Sequence, residues 1–215
     1  MVNEAILAVS SIMAAMSTVQ EKRLAREQRV FDTAARLFAT RGYHATRMQD
    51  IADELAMQKG SLYYYFDSKE SLLLEIVERR VGVALAAMQA IMETDALPTA
   101  KLKEAVAAHL NVFQEHADLY TIFNFERLNL IHPQAAETVD ELAHAYEMLW
   151  RRLLQEGIAA GEFRADLDAP VLVKAIVGMF NSTLLWFDPA GRLTVGETAV
   201  IFAQFILQGL VQNPV

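Results

Sequence analysis

One stretch limits what this chain can become more than any other. Thr46-Arg47-Met48-Gln49-Asp50-Ile51-Ala52 is followed, after a short break, by Lys59-Gly60-Ser61-Leu62-Tyr63-Tyr64-Tyr65-Phe66 and Ser68-Lys69. Thr46, with Gln49 three residues on, has the form of a capping box, and Met48, Ile51, Ala52 and Leu55 recur behind it at helical spacing. A break at Ala56 and Met57 ends that helix. The next turns Leu62 and Phe66 inward at i,i+4, sets Lys59, Gly60 and Ser61 at its N-terminus, and leaves Tyr63 and Tyr64 facing out. Two helices across a tight break, the second short and polar at its start, make a helix-turn-helix. In that motif the first residues of the second helix meet base edges in the major groove.

The rest of the chain reads as helix throughout. A first helix from about Gln20 to Thr40 buries Val30, Ala34, Leu37 and Phe38 and ends at Gly42. Ser68 caps a long helix toward Met92; further helices run from Pro98 to His116, Asp118 through Leu130, Pro133 to Gly161, and Pro170 to near Phe187. Thr194 and Glu197 form a second capping box for the last, through Leu210. No strand pattern interrupts them. The expected fold is all-α: a three-helix helix-turn-helix head plus a larger helical ligand-binding and dimerisation body. The corresponding division is an N-terminal extension over 1–20, a DNA-binding domain over 21–67 and a body over 68–215. Ala5 to Met16 is apolar, but no Lys or Arg precedes it and it is too short to span a bilayer, so neither a signal peptide nor an anchor is expected.

The run from Leu37-Phe38 through Gly42-Tyr43, Ala45-Thr46, Asp50-Ile51-Ala52 and Lys59 to Phe66, then Ser68-Lys69-Glu70, resembles the DNA-binding domain of TetR-family transcriptional regulators. Three positions depart from that pattern: Ala56 stands where the turn glycine is usual, Gln58 where a Ser commonly caps the recognition helix, and Tyr65 where His is usual. An Ala driven to positive φ costs about 1 kcal/mol, so either the turn differs or it is strained. The resemblance implies that Gln49, Lys59 and Ser61 reach bases while Thr46, Tyr63, Tyr64 and Lys69 hold phosphates, with Arg47, Gln58 and Gly60 in the same DNA-contacting set. It also implies double-stranded operator DNA as a partner.

A net charge of -8 fits DNA poorly until it is partitioned. Between Glu21 and Lys69 nine Lys and Arg face seven Asp and Glu, and everything from Glu70 onward is net acidic. The basic footprint is thus confined to the segment that should touch phosphate. With no cysteine, a thiolate metal site is excluded, and a cytoplasmic protein without cofactor or metal is expected.

The body concentrates aromatics with a few polar groups among them. Phe113, Tyr120, Phe123, Asn124, Arg127, Trp150, Phe180, Asn181 and Trp186 are the candidate ligand-binding residues. Each aromatic could equally be ordinary core; Asn124, Arg127 and Asn181 are more telling, because a polar side chain amid apolar neighbours needs a partner. Gly161-Glu162-Phe163-Arg164, Asp166-Leu167-Asp168, Gly178 to Asn181 and Trp186 to Thr194 resemble the C-terminal domain of TetR-like regulators of fatty-acid, steroid and related acyl-CoA catabolism. That resemblance implies a hydrophobic or acyl-CoA-like effector.

Val173, Ile176, Val177, Phe180 and Leu184, with Ala199, Phe202, Phe205, Ile206 and Leu210, give the last two helices broad apolar faces, read as a homodimer interface. An enzyme is not expected. Asp140 and His144 have metal-ligand spacing with Glu141 nearby, but no third ligand completes a site, so a solvated helix face accounts for them better. The expected function is a dimeric, ligand-responsive transcriptional repressor; the alternative is a helical carrier or sensor of hydrophobic acids without DNA-binding function.

Overall fold

The computed structural model describes residues 2–115 and 133–211, with side chains from Gln20 onward except at 113, 133–136 and 184. Among the described residues the chain forms α1 (Val2–Arg41), α2 (Met48–Glu54), α3 (Lys59–Tyr63), α4 (Lys69–Met92), α5 (Pro98–Glu115), α6 (Pro133–Ala159), α7 (Ala169–Trp186) and α8 (Val195–Leu210). An antiparallel bridge joins Phe163 to Val211. The expected helix from Asp118 through Leu130 lies outside the described residues. No helix among them is long and apolar enough to cross a membrane. The chain divides into two compact units, Met1–Leu73 and Leu74–Val215, and the division falls inside α4.

The first unit is built on α1, which continues back through the segment read as an extension to form one helix of 40 residues. Gly42, at φ 86°, ends it as the left-handed residue that glycine supplies without strain. Val30, Phe31, Ala34, Leu37 and Phe38 of α1 are buried, as are Met48, Ile51, Ala52, Leu62 and Phe66. Phe31 and Phe66 pack edge to face with ring centroids 5.4 Å apart, as do Phe38 and Tyr43 at 5.2 Å. These contacts hold α3, which at five residues is too short to persist alone.

The start of α2 corrects the sequence reading. Arg47, not Thr46, occupies the N-cap, and the Asp50 carboxylate, not Gln49, accepts its backbone N–H at 2.7 Å. Thr46 is fully buried, its hydroxyl donating to the carbonyls of Leu37 at 3.2 Å and Gly42 at 2.9 Å. The end of α2 keeps the turn that glycine usually makes. Ala56 sits at φ 52°, while the N–H of Met57 reaches back to Ala52 O at 2.8 Å and that of Ala56 to Asp53 O at 3.1 Å. This is a Schellman closure with alanine in the left-handed position, so the turn is strained, not altered.

In the second unit α5 to α8 enclose a core centred on Trp150, Phe180, Leu102, Leu110 and Leu153. The helix ends are closed by side chains. Asp168 accepts from Val171 N at 3.1 Å to start α7; Thr194 and Glu197 form the reciprocal box that starts α8; Glu162 accepts from both N–H and hydroxyl of Thr99 at the start of α5. Gly157 is dictated by packing: a Cβ there would lie 2.0 Å from the Phe163 ring, which fills the space beside α6. Lys101, buried, donates to the carbonyl of Met92 at 3.0 Å and lies 3.5 Å from Glu156, tying the last carbonyl of α4 to α5 and α6. A cation at a helix C-terminus complements the helix dipole.

Candidate functional site

The first unit turns its chemistry outward. Of α3 only Leu62 is buried; Lys59, Gly60, Ser61, Tyr63 and Tyr64 are exposed, as is Gln58 at the N-cap, and Tyr64 reaches 82% exposure. A tyrosine left this open on a helix held from beneath by Leu62 and Phe66 serves no packing purpose. Lys59 Nζ stands 5.5 Å from the centre of the Tyr63 ring, and Tyr64 meets Tyr65 edge to face at 5.2 Å, which limits where these long side chains can go. On α2, exposed Gln49 donates to Asp53 at 2.6 Å, and Arg47 is exposed ahead of it. Lys22, Arg26, Arg29 and Arg41 add exposed cations along α1, whereas Arg36 is paired with Glu54 at 2.6 Å.

Two of the residues read as phosphate contacts have other duties. The Thr46 hydroxyl and N–H are both spent on carbonyls inside the unit, so it fastens the turn between α1 and α2 and has no donor to offer. Lys69, half-buried, donates its ammonium to Tyr43 O at 2.7 Å and Thr46 O at 3.0 Å and lies 4.1 Å over the Tyr43 ring. The start of α4 is thereby strapped to the same turn. The exposed set that the structure brings together is Arg47, Gln49, Gln58, Lys59, Gly60, Ser61, Tyr63 and Tyr64.

The second unit keeps its chemistry inside. Trp150 and Phe180 are fully buried with rings 5.4 Å apart; Trp186 is half exposed and reaches Phe202 at 6.0 Å; Asn181 is half-buried beside Phe180. The Phe113 side chain and the whole of Tyr120, Phe123, Asn124 and Arg127 lie outside the described residues. Next to Phe180 stand two residues that sequence reasoning did not assign to the site. His109 is fully buried with Nδ1 2.8 Å from the Tyr146 hydroxyl and its ring stacked on Phe180 at 4.5 Å; Tyr146 packs edge to face on Trp150 at 6.4 Å. Burial pushes the His109 imidazole down to about 3 and the Tyr146 phenol up, so both are neutral at ordinary pH. A signal existed: on α5, His109 falls on the stripe of Leu102, Ala105, Val106 and Leu110, where a polar residue is out of place.

The apolar faces of the last two helices split in two. Val173, Ile176, Phe180, Ala199, Ile206 and Leu210 belong to the unit's own core, with Val177 and Phe202 packed against it, which corrects their reading as an interface; Leu184 lies outside the described side chains. Of that reading Phe205 stays open, and with it stand Val171, Leu185, Val200 and Ile201; the five are between 46% and 75% exposed. Asp140, Glu141 and His144 are exposed on α6, and no group of three metal-ligating side chains occurs among the described residues.

This arrangement has counterparts among known proteins. A family model described as bacterial regulatory proteins, tetR family, matches residues 30–76, and one described as tetracyclin repressor-like, C-terminal domain, matches residues 95–210. The HTH-type transcriptional repressor KstR2 of Rhodococcus jostii is 29% identical over 185 residues, covering 86% of this chain and 91% of that protein. The HTH-type transcriptional regulator RutR of Escherichia coli is 31% identical over 190 residues, covering 88% and 86%. The solved structure of the ketosteroid transcriptional regulator KstR2 of Mycobacterium tuberculosis matches with a TM-score of 0.80 at 26% identity, over 87% of this chain and 96% of its own.

Proposed function

The chain belongs to the TetR family of bacterial regulatory proteins, and from that premise we propose that it is a homodimeric transcriptional repressor released from its operator by a small amphipathic effector. The observation that carries the reading is the open face of α3, where Lys59, Gly60, Ser61, Tyr63 and Tyr64 stand in solvent on a helix fixed from below. Gln49, Lys59 and Ser61 take base edges; Tyr63 and Tyr64 take phosphates; Arg47 and Gln58 flank them. Each copy covers one half-site, and two-fold symmetry sets two recognition helices about 34 to 36 Å apart on the duplex. The exposed Val171, Leu185, Val200, Ile201 and Phe205 supply the surface through which the copies join.

The effector is proposed to be an acyl-CoA or a related amphipathic acid whose apolar part enters the second unit, with Asn124, Arg127 and Asn181 taking its polar end. Similarity to the ketosteroid transcriptional regulator KstR2 of Mycobacterium tuberculosis supports a largely apolar ligand. Coupling runs through α4. Its residues Ala84, Ala87 and Met88 line a cleft with His109 and Tyr146, while its first residue, Lys69, is strapped to Tyr43 and Thr46. A ligand that parts α4 from its neighbours favours a second conformation of that helix, and a differential affinity of a few kcal/mol suffices to empty the operator.

Fluorescence anisotropy tests the reading. A duplex selected from a random pool should bind in a salt-dependent manner, which a helical carrier would not do, and Lys59→Ala should flatten preference at its cognate base by about 1 to 3 kcal/mol. An acyl-CoA chain-length series should then release the duplex. Release by an uncharged aromatic or a cationic drug and by no thioester would remove the acyl-CoA reading and leave the repressor.

A further inference from the structure

His109 and Tyr146 are an expensive way to fill a core. Two polar rings are taken out of water from α5 and α6 to share a hydrogen bond of 2.8 Å, where leucine and phenylalanine of similar size would incur no desolvation. Their surroundings differ from ordinary packing as well. The wall they face is made of Ala84, Ala87 and Met88 from α4 and Ala105 and Ala108 from α5, and the cleft between has no room for a water-sized sphere. Four of these five side chains are alanines, which do not interlock, and the fifth, Met88, is unbranched and adaptable, so parting α4 from α5 here forfeits fewer contacts than parting a leucine seam. The polar pair is rigidly aimed, His109 by its stack on Phe180 and Tyr146 by its edge contact with Trp150.

We infer that His109 and Tyr146 form the polar floor of an effector site that opens against Ala84, Ala87 and Met88 of α4, and that this floor takes a neutral oxygen, a ketone, thioester carbonyl or hydroxyl, of an otherwise apolar molecule. The inference rests on the effector reading above and names which part of the ligand is read, and by which atoms. A hydroxyl bonded to Nδ1 keeps capacity for at least one further hydrogen bond, and phenol and neutral imidazole together offer donor and acceptor without charge. A carboxylate placed there would be buried beside no cation of the pair. The ionised end of an amphipathic ligand therefore belongs elsewhere, and only its neutral oxygen comes to this floor.

A matched pair of probes tests it: palmitoyl-CoA and S-hexadecyl-CoA, the thioether that lacks only the carbonyl oxygen, titrated calorimetrically against the full-length protein, with androst-4-ene-3,17-dione and its oxygen-free androstene as a second pair. The wild type should prefer an oxygenated member by about tenfold, and Tyr146→Phe should bind both members of that pair alike. Tyr146→Phe that retains the full preference, while the probe still releases operator DNA, overturns the inference and leaves the effector reading standing. Thermal unfolding without ligand decides separately. His109→Leu with Tyr146→Phe should melt at the same or a higher temperature, because the pair serves the ligand; a fall of several degrees makes it structural and overturns the inference. If neither pair of probes binds, the proposed effector class fails, and the melting comparison alone judges the floor.

Discussion

The two units spend their polar residues in opposite places. In the first, the core is wholly apolar but for Thr46 and Glu27, and Lys59, Ser61, Tyr63 and Tyr64 are held in solvent; in the second, the outer faces of α7 and α8 carry Val171, Leu185, Val200, Ile201 and Phe205 while His109 and Tyr146 sit at the centre. A surface that must read a polyanion needs its donors outside and rigid, and a chamber that must read a small apolar molecule needs its few polar atoms inside. On the proposed function, what stands in the wrong place for stability is what each unit uses, with the sign reversed.

Phe205→Glu should break that contrast most severely. Phe205 is 68% exposed, whereas Phe202 packs on Phe180 and Trp186 with ring centroids 6.2 and 6.0 Å away. A charge at Phe205 should spare the fold yet cost the dimer about 3 to 5 kcal/mol, because it would be buried there without a partner. Sedimentation at micromolar concentration should give folded monomers. A folded dimer would place the interface on another face, and Phe202→Glu, by contrast, should unfold the second unit.

The buried histidine gives a pH signature confined to the second unit. The folded imidazole is held neutral down to about 3 while the unfolded one takes a proton near its ordinary 6.5, so the unfolded state binds more protons and stability is lost as pH falls through that window. Between pH 7 and pH 5 the loss should be about 2 kcal/mol. Urea titrations should show it in the wild type and show it flattened in His109→Leu; equal slopes in the two would mean that water reaches the ring.

The same contrast explains what the sequence disclosed. The helix-turn-helix was legible because each of its constraints is local: Leu62 and Phe66 at i,i+4, Gly42 at a helix end, Ser68 ahead of α4. Thr46 misled as a cap because its hydroxyl is taken by the carbonyls of Leu37 and Gly42, which leaves Arg47 at the N-cap. The strap made by Lys69 was hidden for a related reason, since its partners lie 26 and 23 residues away. In the body, the pairing of His109 with Tyr146 joins residues 37 apart on different helices, which no periodicity reveals. The apolar faces of α7 and α8 were visible as faces, but hydrophobicity alone does not say which side looks inward, and so Ile206 and Phe205 were grouped although one is core and the other open.

Lys69 sharpens the comparison at the point where α4 begins. If its role were only to neutralise phosphate, Lys69→Ala would weaken DNA binding and leave stability alone. With two carbonyls and a ring as its partners, the substitution should instead destabilise the first unit by about 1 to 2 kcal/mol, as a half-exposed charge-assisted pair of hydrogen bonds is lost. Hydrogen exchange over 42–66 should speed up in the absence of DNA. Unchanged exchange, with a salt slope lower by about one, would return Lys69 to the phosphate set.

The smallest effect is expected at Ala56, and it bears on how the first unit holds its reader. Alanine at φ 52° carries a left-handed penalty of about 1 kcal/mol, yet the Schellman bonds from Met57 to Ala52 and from Ala56 to Asp53 are both made. Glycine would remove the penalty and add unfolded-state entropy worth a fraction of it, so Ala56→Gly should stabilise the first unit by about 0.5 kcal/mol net. The bonds fix the turn in either case, so operator affinity should stay within about twofold, a change well under the 1.4 kcal/mol that a factor of ten requires. Urea unfolding of the variant measures the first quantity and anisotropy the second. A stabilised variant with sharply weaker binding would mean that the strain at Ala56 sets the angle of α3, and that this unit, like the body, gives up stability at a position its function uses.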